Sequence, residues 1–162
     1  MERISKENYY LDIAQTVASR STCLRKKYGA IIVSNDSIVS TGYNGAPRGR
    51  KNCSDLGYCM REHLGIPRGE RYEMCRSVHA EQNAIIAAAA HQMRDATLYL
   101  ACIDAPTGKL LGGTCSCQMC KRTVINAGIS KVVVRETPTE YTVYDVQDWI
   151  ENDDSLTGKF GY

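Results

Sequence analysis

Apolar positions along the chain change period several times, and each change predicts an element. Tyr10, Ile13, Ala14, Val17 and Ala18 share one face of a 3.6-residue repeat, with Ser5 placed to cap a helix before them. Two β-rich runs follow, Tyr28–Val33 and Ile38–Tyr43, joined through Ser34-Asn35-Asp36-Ser37, a hairpin signal. Residues 44–76 show no sustained period and are rich in Gly, Pro, Cys and Arg. An irregular stretch of that length inside a domain points to a functional or cross-linked loop. Order then resumes with a helix over Val78–Met93 and a strand over Ala96–Cys102. A loop over Asp104–Thr114 leads to a helix over Cys117–Ala127, with Gly128 as its C′ residue. Lys131–Arg135 reads as a strand, Thr142–Asn152 as a last helix, and residues 153–162 as a tail. A hairpin followed by helix–strand alternation predicts one three-layer α/β/α domain over residues 1–162.

Composition adds limits to this outline. With 162 residues and 43% hydrophobic content, the chain can bury one core. No apolar run approaches the ~20 residues of a membrane span, Ala84–Ala90 being the longest. Met1-Glu2-Arg3-Ile4-Ser5-Lys6 lacks the apolar segment of a secretion signal. A cytoplasmic setting is therefore expected, and there eight cysteines read as metal ligands rather than disulfides. The net charge of +2 hides an asymmetry. Residues 20–76 hold eleven Lys/Arg against five Asp/Glu, while residues 136–162 hold seven acids and one Lys. A basic half suits a phosphate-bearing partner. No basic run is interleaved with aromatics densely enough to indicate nucleic acid.

The chemistry concentrates in two short motifs. Ser77-Val78-His79-Ala80-Glu81-Gln82-Asn83 supplies an imidazole and a carboxylate, and Cys117-Gln118-Met119-Cys120 supplies two thiols. His79, Cys117 and Cys120 make three zinc ligands, which leaves a fourth position for water and distinguishes a catalytic site from a closed structural one. Glu81 is then free to move protons. The competing structural reading is a zinc ribbon with Glu81 as surface charge; a ribbon needs a fourth ligand and has no use for His-x-Glu. Cys115 could substitute for Cys117, but the two-residue spacing favours Cys117 with Cys120.

These motifs resemble the cytidine/deoxycytidylate deaminase superfamily, closest to its deoxycytidylate deaminases of the late-competence type. The likeness runs from about Ile13 to Val134 and includes Lys27–Val33, Thr41-Gly42-Tyr43-Asn44-Gly45 and Ile125-Asn126-Ala127-Gly128-Ile129. His-x-Glu followed by Pro-Cys-x-x-Cys is the zinc nucleobase deaminase pattern, with Ser116 here in place of the Pro. Ser116 is expected to cap the helix instead. The resemblance implies a mixed sheet of about five strands, with zinc held between two helix N-termini. It implies hydrolytic deamination of deoxycytidylate (dCMP) to deoxyuridylate (dUMP), feeding thymidylate synthesis, with Glu81 shuttling the proton. Alternatives with the same chemistry are cytidine, guanine or tRNA adenosine as substrate. A non-catalytic zinc-stabilised binding module is the alternative of another class.

The resemblance also implies a structural zinc near Cys23 and Cys53. Cys59 and Cys75 stand in the same irregular half and are chosen to complete it, with His63 in reserve. Unmetallated buried cysteines are the alternative. Cys102 on its strand reads as core, and His91 as surface. For the substrate, Asn44 matches the residue that bonds the sugar hydroxyl, and Arg25, Lys26 and Arg48 are the phosphate candidates. The resemblance also implies regulation by dCTP and dTTP through the Asn44–Gly49 loop at subunit contacts, and self-association as a homo-oligomer.

Overall fold

Ser5 caps the first helix, its hydroxyl accepting from the Asn8 amide at 3.2 Å, and α1 runs Lys6–Ala18. The structure is a computed structural model describing residues 1–158; the end of the tail expected at 153–162 lies outside the described residues. Strands β1 (Lys26–Ser34) and β2 (Ser37–Tyr43) form the expected hairpin. At its tip Asn35 and Asp36 take left-handed backbone, φ 50° and 58°, which these two residue types tolerate. Strand β3 (Thr97–Asp104) pairs antiparallel with β1 and parallel with β5 (Lys131–Arg135). The sheet order is β2-β1-β3-β5-β6, with β6 (Tyr141–Asp145) antiparallel to β5 and a two-residue β4 (Leu110–Leu111) paired to β3. The mixed sheet expected at about five strands is thus five in a row plus a short sixth.

Period-two alternation divides the core into two layers. Ile31 and Val33, Tyr99 and Ala101, and Val133 face α1, where Tyr10, Leu11 and Ala14 meet them. Ala30 and Ile32, Leu98 and Leu100, and Val132 and Val134 face the other way. That second face is covered by α4 (Ala80–Ile86), α5 (Ala90–Met93), α6 (Gln118–Ala127) and α7 (Val146–Glu151). Helix–sheet–helix layering follows. Two glycines let helices sit on the sheet without spacing. A Cβ on Gly29 would stand 2.4 Å from the Ala18 nitrogen of α1, and one on Gly42 would stand 2.4 Å from the Ala80 carbonyl of α4.

The helix expected over Val78–Met93 is instead two pieces. The Ala84 carbonyl accepts from the Ser40 hydroxyl at 2.7 Å, and the Ala88 amide turns back to the Ile85 carbonyl. Ala89 is then extended, and a new turn starts with Gln92 Oε1 accepting from its amide at 3.3 Å. Poly-Ala propensity is overridden because Ser40 of the sheet engages the Ala84 carbonyl, which a continuing helix would offer to the Ala88 amide. The helix expected over Thr142–Asn152 begins as β6, where Thr142, Val143 and Tyr144 favour a strand, and only Val146–Glu151 is helical. Asp145 caps α7 by accepting from the Gln147 amide at 3.0 Å. The irregular 44–76 segment contains α2 (Cys53–Leu56), α3 (Met60–His63) and a 3-10 turn, Tyr72–Met74. Among the described residues no helix is long and apolar enough to cross a membrane.

Candidate metal centre and its cavity

The start of α4 is tied to the end of β2. Val78 and Gly45 exchange backbone hydrogen bonds at 2.8 and 3.2 Å, and Asn83 Nδ2 donates to the Tyr43 carbonyl at 2.8 Å. His79 is therefore held at the N-cap, its amide donating to Gln82 Oε1 at 3.0 Å. One turn of helix then points Glu81 inward, leaving it 4% exposed. Cys117 is the N-cap of α6 and Cys120 lies in its first turn. His79 Nδ1 stands 3.5 Å from Cys117 Sγ and 3.3 Å from Cys120 Sγ. Among the described residues, these three alone form a group of His, Cys, Asp or Glu ligand atoms lying within 4.8 Å of one another.

Ser116 does not take the capping role expected of it. It precedes the N-cap, is almost fully buried, and its side chain is turned to the Glu81 carboxyl instead. Cys115 lines the cavity beside the site but stands outside the ligand group. Cys102 is fully buried core, and His91 is exposed.

Charge in the site is organised for a cation. Burial disfavours a charged His79, yet bonds from Cys117 and Cys75 outweigh it and push the imidazole up to about 10. Cys117 is pulled down to about 4, chiefly by the hydrogen bond from Cys120, whose own thiol is correspondingly pushed up. Two buried thiols and a half-buried imidazole thus compete for protons at one point, which a dication would relieve. An imidazole and two thiols at helix N-termini are a zinc donor set, so the residues fit the ion. Burial pushes the Glu81 carboxyl above its ordinary range, against the opposing pull of His79.

The group opens on a cavity of about 670 Å³ lined by His79, Glu81, Cys117 and Asn44 among others. Asn44 is 6% exposed; its Oδ1 accepts from the Ser21 hydroxyl at 2.6 Å and the Tyr28 amide at 2.8 Å, and its Nδ2 donates to the Lys26 carbonyl at 2.9 Å. The residue ties α1's exit to β1 and β2 on the cavity wall. Arg25 and Lys26 line the cavity too, but Arg25 Nε is engaged with Glu62 Oε1 at 2.9 Å. Arg48 is exposed and lies apart from the lining.

Cys23, Cys59 and Cys75 gather around Cys53, whose thiol is raised first by burial and then by the charges of these three neighbours. Cys75 is held low by His79 and Ser77 despite its burial. These four sulfurs do not draw in to the spacing of the His79 group. His63 is exposed and rests on the Tyr58 ring at 5.2 Å. Sequence reasoning passed over Arg61, Arg68 and Tyr72, all on the cavity wall. The Tyr72 ring meets His79 edge-on at 5.4 Å, and the Arg61 guanidinium lies 4.4 Å from its centroid. The available signal was the irregular segment itself, whose length demanded a role.

A family model for the cytidine and deoxycytidylate deaminase zinc-binding region matches residues 4–136. The chain is 32% identical over 132 residues to the deoxycytidylate deaminase of Schizosaccharomyces pombe, covering 81% of this chain and 37% of that protein. It is 35% identical over 138 residues to the deoxycytidylate deaminase of Mycobacterium phage D29, covering 82% and 96%. The chain therefore spans well under half the length of the yeast relative and nearly all of the phage one. A crystal structure of dCMP deaminase from cyanophage S-TIM5, in complex with dCMP and dUMP, superposes over 95% of both chains with a TM-score of 0.55 and 25% identity. With the match extending over most of its length and taking in both ligand motifs, this chain belongs to the cytidine and deoxycytidylate deaminase family.

Proposed function

We propose that the protein is a zinc-dependent hydrolase that converts dCMP and water to dUMP and ammonia. One observation carries the reading: a buried carboxylate, Glu81, stands on the cavity wall two residues from an imidazole that faces two thiols. His79, Cys117 and Cys120 would hold the ion. Zinc bound by three protein ligands supplies Lewis acidity that brings the pKa of water from 15.7 to about 7. Glu81 accepts the proton of the water that adds to the amine-bearing carbon of cytosine and passes it to the adjacent ring nitrogen. A second transfer through Glu81 protonates the amino group, the carbon–nitrogen bond breaks, and ammonia leaves. A carboxyl raised by burial suits this two-way traffic, since it holds a proton more readily than an ordinary carboxylate and can still give it up.

The choice of a monophosphate rests on the basic residues of the cavity wall and on the substrates named for the D29 and S-TIM5 relatives. Ammonia release assayed over dCMP, CMP, deoxycytidine, guanine and tRNA tests it. The largest kcat/KM should belong to dCMP; turnover of guanine alone, or of nothing, overturns the reading.

A second, structural zinc bound by Cys23, Cys53, Cys59 and Cys75 belongs to the same proposal. Its support is that Cys23, Cys75 and Cys59 each lie near enough to Cys53 to raise its thiol, in a polar segment. Two zinc ions per chain by elemental analysis is the expected count, and one discards it. Eight unpaired cysteines suit a reducing cytoplasm. Self-association and control by dCTP and dTTP through the Asn44–Gly49 loop rest on the family likeness, with exposed Ile86 beside an apolar groove lined by Ile85 and Met93 as the candidate contact.

A further inference from the structure

The cavity wall contains a strap, residues 61–72, whose construction revolves around one buried arginine. Arg61 is 6% exposed. Its Nε donates to the Glu70 carbonyl at 3.1 Å, and its Nη2 donates to the carbonyls of Pro67 at 3.2 Å and Glu70 at 2.8 Å. The Arg61 carbonyl in turn accepts from the Ile66 amide at 2.9 Å, and the Glu70 amide closes back on the Pro67 carbonyl at 3.3 Å. Gly69 supplies the left-handed backbone, φ 78°, that the turn needs. The other side of the guanidinium lies over Tyr72. A buried guanidinium whose Nε and Nη2 both donate to main-chain carbonyls is a fastener, and what it fastens is the turn carrying Arg68.

Arg68 is exposed and lines the cavity. The other cations of that wall are occupied. Arg25 is paired to Glu62 of the same strap, Arg61 is consumed as described, and Lys26 has an interaction of its own. Arg71, the strap's third arginine, is paired with Glu73 at 3.3 Å. Among the described residues of the wall, Arg68 is the cation that makes no hydrogen bond, ion pair or ring contact. Its main chain is fixed on both sides while its guanidinium is free, so binding an anion would cost little further ordering of the loop. An arginine presents a planar fork suited to two phosphate oxygens.

We infer that Arg68 is the phosphate anchor of the nucleotide site, held at the mouth of the cavity by the Arg61-centred strap. This rests on the reading of the site as one for a nucleoside monophosphate. It moves phosphate recognition away from Arg48 and onto the insert. The specificity for a phosphorylated substrate would then reside in residues 61–72, which supply neither a proposed metal ligand nor the proton carrier.

Calorimetric binding of dUMP and of deoxyuridine to the zinc-loaded full chain tests the inference without needing turnover. Wild type should prefer dUMP. Arg68→Ala should reduce that preference at least about tenfold, the worth of one charge-assisted hydrogen bond, and Arg68→Glu should reduce it further. Zinc content and the unfolding midpoint, read on the same samples, should match wild type because the side chain supports no other group. A preference unchanged in Arg68→Ala, or a wild type that binds both ligands equally, overturns the anchor. A wild type that prefers dUMP, loses the preference with Arg68, and yet releases no ammonia from dCMP leaves the anchor standing and removes the proposed reaction.

Discussion

Cys120 Sγ lies 3.3 Å from His79 Nδ1, although 41 residues separate them in the chain. That approach is produced by the sheet. Helices α4 and α6 cover the same face, packed over Ala30, Ile32, Leu98, Leu100, Val132 and Val134, so their N-termini arrive together at one edge. The loops that precede them deliver His79 and Cys117 to N-cap positions, where partial positive charge and free N–H groups favour thiolate. The ligand group is a property of the fold's second layer.

Glu81→Gln should separate binding from chemistry. The amide keeps the volume of a residue that is 4% exposed, so the helix and its ligands should stay in place. It cannot carry the proton, and kcat should fall by ~10²–10⁴. Metal analysis beside a turnover assay checks both halves; undiminished turnover removes Glu81 from the proposed mechanism.

Substitution of the two neighbouring cysteines tests which sulfurs hold the ion. Cys117→Ser should lose one zinc per chain, because Cys117 is within 4.8 Å of both other ligand atoms. Cys115→Ser should keep full metal, since Cys115 stands outside that group. The reverse pattern would exchange their assignments and make Cys115 the metal ligand.

The legible parts of this chain were those in which local chemistry and tertiary packing agree. Ser5, the Asn35-Asp36 tip, Gly128 and the Val132–Val134 run each specify an element locally, and each element formed where expected. The two ligand motifs were readable for the same reason, since one imidazole and two thiols at those spacings suit one ion. Failures came where a distant residue decides. Ser40 ends α4 by taking the Ala84 carbonyl, which nothing in the alanine run announces. Thr142–Tyr144, whose local preference already leans to strand, are committed to it by the edge that β5 offers. Arg68 was missed because its freedom is visible only once Arg25, Arg61 and Arg71 are seen to be occupied. A count of basic residues could not say which of them remains available.

Gly42→Ala probes how the site helix is seated. The added methyl would stand 2.4 Å from both the Ala80 carbonyl and the Ala84 nitrogen, and neither is a flexible side-chain end. Helix α4 must lift from β2, and overpacking of this kind costs about 1–3 kcal/mol. Because His79 and Glu81 travel with α4, zinc affinity should fall together with the urea midpoint. An unaltered midpoint would mean that the helix is held elsewhere.

The hairpin tip and α1 share a titratable contact away from the site. The Tyr10 hydroxyl donates to Asp36 Oδ1 at 2.8 Å, and Lys6 Nζ approaches Asp36 Oδ2 at 3.1 Å. The Tyr10 bond, then the Lys6 bond, hold the Asp36 carboxyl below its ordinary value of 3.8. Burial, with Asp36 as a lesser cause, pushes the Tyr10 phenol up to about 12. A carboxyl lowered on folding stabilises above its unfolded pKa, and that contribution disappears as pH falls through the lower folded value. A phenol raised on folding acts in the opposite sense. Its contribution is complete below pH 10 and is lost as pH rises through about 12. Tyr10→Phe keeps the ring against Tyr99, whose centroid is 5.1 Å away, and removes the hydroxyl alone. The stability difference between wild type and variant should therefore be greatest near pH 7 and shrink once the solution is more acidic than 3.8. Urea unfolding of both proteins at pH 7, 5 and 3.5 reads this directly. A difference that persists undiminished at the lowest pH would assign the effect to packing of the phenol oxygen, with no share from the carboxylate.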